Sequence, residues 1–274
     1  MDTKTTDAAI GKLKAKAESG DVEAQYQFGV CLWEGIGMPV DPEAALEWMV
    51  LAAGGGHAPA QSWLGSLHLS NLDEEQARFW YEKAALQGDA RAMYYLSLIY
   101  VRGNVFGADP MLAFEWLKKA AENGFTEAMC KLGIMHCLGH GVEKNHQHAA
   151  QWFQKAALRG DSNAQMLLAT AYLTGSGVPQ EENAAIYWFD QVKNSCTDSK
   201  AFLIMADTVS EGGLMPSSRV SSYILLSIHG SLFPETKVDI STLTGVMPEE
   251  QLAQAKRIVQ NILPDKPHEA PFLQ

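Results

Sequence analysis

A short block of the form Ala-x₃-[Leu/Phe/Met]-[Gly/Ala/Ser] recurs six times, opening at Ala24, Ala60, Ala92, Ala128, Ala164 and Ala201. The steps between openings are 36, 32, 36, 36 and 37 residues. A fixed period in this range marks a repeat architecture, because one such unit cannot bury its apolar face alone and must stack on a neighbour. A second block keeps the same rhythm: Trp48, Trp80, Trp116, Trp152 and Trp188, then Tyr223. Ala precedes each of these Trp residues by three or four positions, and in the first four units a small pair follows: Ala52-Ala53, Ala84-Ala85, Ala120-Ala121 and Ala156-Ala157. In the fifth unit Gln191-Val192 stands there instead.

Small and apolar residues at i, i+4 and i+8 define one face of an α-helix. Each unit therefore reads as a helical hairpin, with Ala and Gly allowing close approach and the Trp filling the space between units. Gly-rich turns separate the two blocks: GIGMPVDPEAA, GNVFGADPMLA, GHGVEKNHQHAA and GSGVPQEENAA. Asp41 and Asp109 are placed to cap the second helix, with Pro42 and Pro110 at its first position. The second unit drops the Gly loop (LHLSNLDEEQARFW), and the short step falls there. The expected fold is all-α, a right-handed solenoid of stacked hairpins.

These blocks resemble the Sel1-like repeat (SLR) family, a branch of the tetratricopeptide (TPR) superfamily. KLGIMHCLGHGV…AAQWFQKAALRGD and LLATAYLTGSGV…AAIYWFD carry the likeness most fully, and it extends over about residues 7 to 262. The resemblance implies an N-terminal capping helix (1–20) and six repeats within 21–230, at about 21–56, 57–88, 89–124, 125–160, 161–196 and 197–230. Closing helices (231–262) and a flexible tail (263–274) follow. The third unit departs from the Gly-x-Gly-Val loop, and the sixth lacks the Trp.

Charge limits the partner. The net charge is −11, which argues against nucleic acid or an anionic membrane, since both require cations to neutralise phosphate. Between Ala17 and Ala77 stand ten carboxylates and no Lys or Arg, a tract that keeps a surface solvated or steers a basic partner. No run of 18 apolar residues exists for membrane insertion. MDTKTTDAAIGKLK lacks a signal-peptide core, so a native start at Met1 implies the cytoplasm.

Cys130 and Cys137 fall two helical turns apart, about 10.5 Å of rise, too far for a disulfide. All four cysteines are read as thiols. Cys130, His136, Cys137, His140, His146 and His148 crowd into the fourth unit, but a closed zinc site needs four converging ligands. His136 is read as packed between helices, the loop histidines as solvated, and no metal or cofactor is expected. Glu74-Glu75, Glu181-Glu182 and Glu249-Glu250 are read as helix-start acids that favour the N-terminal dipole. No phosphate-binding loop, nucleophile elbow or His-Glu-x-x-His motif occurs.

By resemblance to tetratricopeptide arrays, the lining of the concave face comes from first helices. It comprises Tyr26, Val30, Trp33 and Glu34; Ser62, Ser66 and Leu69; Tyr94, Leu98 and Arg102; Ile134 and Leu138; and Met166. The resemblance implies a non-enzymatic, monomeric scaffold that binds one protein in this groove. An inhibitor or immunity protein against a secreted bacterial toxin, such as a phospholipase effector, is one form of it. Hydrolytic or metal-dependent activity, as suggested for cysteine-rich relatives, and a self-assembling array are the alternatives.

Overall fold

The opening Ala of each of the first five repeat blocks is the third residue of a helix, and in the first, third and fifth the residue three before it is an Asp that caps the helix. In α2 (Val22–Glu34), α6 (Ala90–Arg102) and α10 (Ser162–Thr174), the carboxylates of Asp21, Asp89 and Asp161 accept from the N–H of Ala24, Ala92 and Ala164 at 2.9, 2.7 and 2.7 Å. Such caps contribute about 1 kcal/mol each. The second helices follow the same rule. Asp41, Asp73, Asp109 and Asn145 cap α3 (Pro42–Gly54), α5 (Glu74–Leu86), α7 (Pro110–Glu122) and α9 (His146–Ala157). Helix α4 (Ala58–Ser70) departs from the Asp or Asn pattern and is capped by His57.

The computed structural model describes residues 3–105, 107–195, 200, 203, 219–236 and 239–263, with side chains from residue 8 onward. Every regular element among these residues is an α-helix. The others are α1 (Thr3–Glu18), α8 (Thr126–Leu138), α11 (Glu182–Ser195), α12 (Arg219–Leu232), α13 (Ser241–Val246) and α14 (Glu249–Ile262). The sixth first helix, Cys196 and the tail from Pro264 lie outside the described residues.

The chain forms two compact units, Met1–Phe125 and Thr126–Gln274. In the first, α2–α3, α4–α5 and α6–α7 are hairpins, and α1, α3 and α5 each pack on the first helix of the hairpin that follows. In the second, α8–α9 and α10–α11 are hairpins, α9 packs on α10, and α14 lies against α11 and α12. Ala255, Ile258 and Ile262 give α14 its buried face. Arg257 forks onto the Glu182 carboxylate at 2.9 and 2.6 Å, and Lys193 Nζ donates to the Ile262 carbonyl at 3.0 Å.

In the first, second and fourth hairpins the Gly notch is filled by the residue after the Trp, not by the Trp itself. A Cβ on Gly65 would lie 2.7 Å from the Tyr81 ring; one on Gly133 would lie 2.5 Å from Phe153, and one on Gly29 3.3 Å from Met49. Met49, Tyr81 and Phe153 are fully buried. Trp48, Trp80, Trp116 and Trp152 are half-buried and Trp188 is buried; Trp80 packs on Met49, Ala52 and Ala53 of the preceding repeat together with Ala60 and Leu64 of its own. Lys83, Lys119 and Lys155, three residues beyond Trp80, Trp116 and Trp152, lie over those indoles at 5.2, 4.4 and 3.9 Å. A cation over an aromatic face contributes about 0.5–1 kcal/mol at an exposed site.

A buried amide locks successive units. Gln25, Gln61 and Gln165 follow the opening Ala and donate from Nε2 to the carbonyls of Ala17, Ala53 and Ala157 at 3.3, 3.0 and 3.3 Å. Each reaches back to the end of the preceding helix and satisfies a terminal carbonyl there. From the same hairpin, Gln87 Nε2 donates to Gln61 Oε1 at 2.8 Å and Ser195 Oγ to Gln165 Oε1 at 2.7 Å. Units three and four replace this Gln by Met. The thioethers of Met93 and Met129 then accept from Asn123 and Arg159 at 3.8 and 3.4 Å.

Candidate functional site: the first-helix face

In the first unit the first helices place a row of partly open aromatic and apolar side chains on one face. Tyr26 is half-buried and stacks on the His57 ring, with centroids 4.5 Å apart. Trp33, 42% exposed, meets Trp63 edge-on at 5.0 Å. Tyr94 packs edge-on against Tyr95 at 5.4 Å and beside Phe125 at 5.1 Å, while Tyr95 stacks on Tyr81 at 5.3 Å. Val30, Leu69 and Leu98 are half-buried on the same helices, and Glu34 and Arg102 are exposed at the helix ends.

Two of the expected lining residues serve the fold at this face. Ser62 is buried, its hydroxyl 3.4 Å from Asp89 Oδ1. Ser66 Oγ accepts from the Tyr81 hydroxyl at 3.0 Å and donates to the Ser62 carbonyl at 3.1 Å. Burial pushes the Tyr81 phenol up to about 12, so this hydrogen bond is made by a neutral hydroxyl at all ordinary pH.

The second unit is different. Ile134 and Leu138 are half-buried, but Met166 is 2% exposed, and Cys130, Cys137, Thr170 and Leu173 are buried with it. The apolar character of this row is used within the chain in the fifth repeat and left partly available in the first three.

His57 holds this face together in a way that the sequence pattern did not reveal. Its Nδ1 accepts from the Ala60 N–H at 3.2 Å, and its Nε2 lies 2.9 Å from Glu23 Oε2. That arrangement fixes the tautomer with the proton on Nε2, donated to the carboxylate. The hydrogen bond from His57, with a second from Gln27, holds the Glu23 carboxyl below its ordinary value. The available signal was the missing Asp or Asn three residues before Ala60.

Glu74 also does more than favour a helix dipole. It is buried, and its Oε1 accepts from Asn104 Nδ2 at 2.8 Å, joining the second and third turns.

The histidine and cysteine cluster does not converge. His136 is buried and meets His148 edge-on at 5.3 Å, and burial lowers its affinity for a proton. Burial pushes the Cys137 thiol up to about 11 and that of Cys130 further. Cys31, Cys130 and Cys137 are free thiols. Among the described residues no three His, Cys, Asp or Glu side chains come together as metal ligands would, and no helix is long and apolar enough to cross a membrane.

Stacked hairpins of this kind define a helical-repeat protein. The Sel1 repeat model matches residues 22–57, 58–89, 90–125, 126–161 and 162–191, and the chain belongs to the Sel1 repeat family. It is similar to c5321, a protective antigen of uropathogenic Escherichia coli with an SLR fold, at 26% identity and a TM-score of 0.69. That match covers 97% of this chain but 58% of the antigen, so this chain spans little more than half of it. A Sel1 repeat protein from Oxalobacter formigenes is 25% identical, with a TM-score of 0.66, over 85% of this chain and 98% of that one. A putative Sel1 repeat protein from Klebsiella pneumoniae, 22% identical over 78% of this chain and 98% of that one, shares the fold with a TM-score of 0.53. Sel1 repeat proteins generally mediate protein–protein interaction.

Proposed function

We propose that this chain is a monomeric, non-enzymatic scaffold that captures one protein partner on the first-helix face of its first unit. The observation that carries the reading is the contrast along one row of equivalent positions. Tyr26, Tyr94, Leu98 and Trp33 keep exposed area, while Met166, Thr170 and Leu173, at the same registers of the fifth repeat, are sealed. Partly open aromatic side chains on a rigid face are the groups that dominate interface energies, about 2 kcal/mol or more each.

The run of ten carboxylates without a Lys or Arg between Ala17 and Ala77 belongs to this same part of the chain and supports a basic partner. An inhibitor or immunity protein that covers the basic surface of a secreted toxin in the cytoplasm is the specific form of this reading. Affinity capture from the native host with the wild-type protein and the Trp33→Ala/Tyr94→Ala variant in parallel tests it. A protein retained by the first and lost by the second supports the reading; identical captures, or none, contradict it.

A further inference from the structure

The turns between first and second helices of the first unit form an edge distinct from the first-helix face. Helices α2, α4 and α6 run in the same direction, so residues 35–41, 71–73, 103–105 and 107–109 emerge on the same side. The Asn104 to Glu74 hydrogen bond ties the third of these turns to the second.

This edge is apolar at its tips: Ile36, Val40, Leu72, Val105 and Met111 are between 48% and 88% exposed. The repeat itself does not require this. At the registers of Ile36 and Val40, the two complete Gly-x-Gly turns of the second unit carry His140 and Lys144, and Ser176 and Gln180. Where the third turn has Met111, the equivalents elsewhere are Glu43, Gln147 and Asn183. Leu72 is the clearest case. It is 88% exposed and has φ 61°, the only left-handed residue other than glycine among the described residues. Gly or Asn would take that backbone more easily, and a nearly naked Leu gains nothing from the fold there. Carboxylates frame these tips at Glu34, Asp41, Glu43, Asp73, Glu75 and Asp109, with Arg102 the one cation at the helix ends.

We infer that this edge is a second docking surface, and that its occupant is a basic protein segment with apolar side chains along one side. The apolar tips supply contact area, and the carboxylate frame selects cationic neighbours. The same frame repels an anionic bilayer and a second copy of this edge. The surface is separate from the row containing Trp33 and Tyr94, so it does not depend on capture at that row.

The probe is an 18-residue helical peptide of Leu and Lys at amphipathic spacing, titrated into the full chain by calorimetry. The comparison peptide has Glu in place of Lys, and vesicles of phosphatidylcholine with and without phosphatidylglycerol complete the set. Binding of the Leu/Lys peptide, weakened tenfold or more by Leu72→Asn with Met111→Gln and unchanged by Trp33→Ala with Tyr94→Ala, supports the inference. The Leu72→Asn protein should melt no lower than the wild type, because Asn accepts the left-handed backbone. No binding, equal binding of the Glu peptide, equal affinity in the Leu72 variant, loss in the Trp33 variant, or co-sedimentation with either vesicle overturns it.

Discussion

The Tyr81 ring occupies the space that a side chain on Gly65 would need, 2.7 Å from the position of the missing Cβ. This pairing, repeated as Gly133 with Phe153, sets the distance between the two helices of a hairpin. Gly65→Ala should therefore cost about 1–3 kcal/mol, the usual penalty for overpacking a tight contact. Gly54→Ala is the control: it is helical and meets nothing within 4 Å. It should leave stability unchanged or raise it by up to about 1 kcal/mol. Urea unfolding of the two variants checks the difference.

The second glycine of the fifth repeat's turn is tighter still. Gly177 has φ 78°, and a Cβ there would collide with the His146 carbonyl at the start of α9. Both the backbone and the space reject a side chain, so Gly177→Ala should be destabilising by more than about 1 kcal/mol. Thermal melting of the full chain measures it.

The buried amide lock predicts an ordering of substitutions. Gln61→Ala removes the donor to the Ala53 carbonyl and the acceptor for Gln87, at a cost of about 1–3 kcal/mol. Gln61→Met should cost less, because Met fills the same site in the third and fourth repeats and accepts there through sulfur. Unfolding free energies of the two variants, compared directly, give the answer.

The Glu23 and His57 pair makes a prediction in acid. The folded carboxyl of Glu23 is held below its ordinary value of 4.5 by hydrogen bonds from His57 and Gln27. A depressed folded value means stability that is present above the unfolded carboxyl pKa and lost as pH falls through the folded one. Removing His57 also deletes the cap on Ala60 and the stack on Tyr26. His57→Ala should melt lower than the wild type at pH 7, and the gap should narrow as the pH falls through the lowered carboxyl titration of Glu23. A gap that stays constant between pH 7 and pH 3 contradicts the assigned pair.

The hairpins were legible in the sequence because their signals are local and repeated. The recurring Ala block, the Asp-Pro pairs at Asp41 and Asp109, Gly at the turn and Ala-Ala after the Trp each have one structural reading. Which side chain enters the Gly notch was not legible. Trp80 and Tyr81 are adjacent, both large, and only the helix rotation decides that the tyrosine turns inward. His57 stayed hidden because imidazole is not an ordinary cap, and Glu74 because its neighbour Asp73 accounts for the helix start. The lining row was placed by register, but register cannot tell an open position from a sealed one. Trp33 and Met166 follow one rule and differ in what covers them.

The account stands on capture of a protein by the first-helix face of the first unit. Its most direct measurement is a calorimetric titration of the partner recovered from the native host into the wild-type chain and into the Trp33→Ala/Tyr94→Ala variant. Circular dichroism on both samples accompanies it. The account expects unchanged helicity and a Kd raised tenfold or more, a loss of about 1.4 kcal/mol or more. An unchanged Kd in a variant that is still fully helical would contradict it.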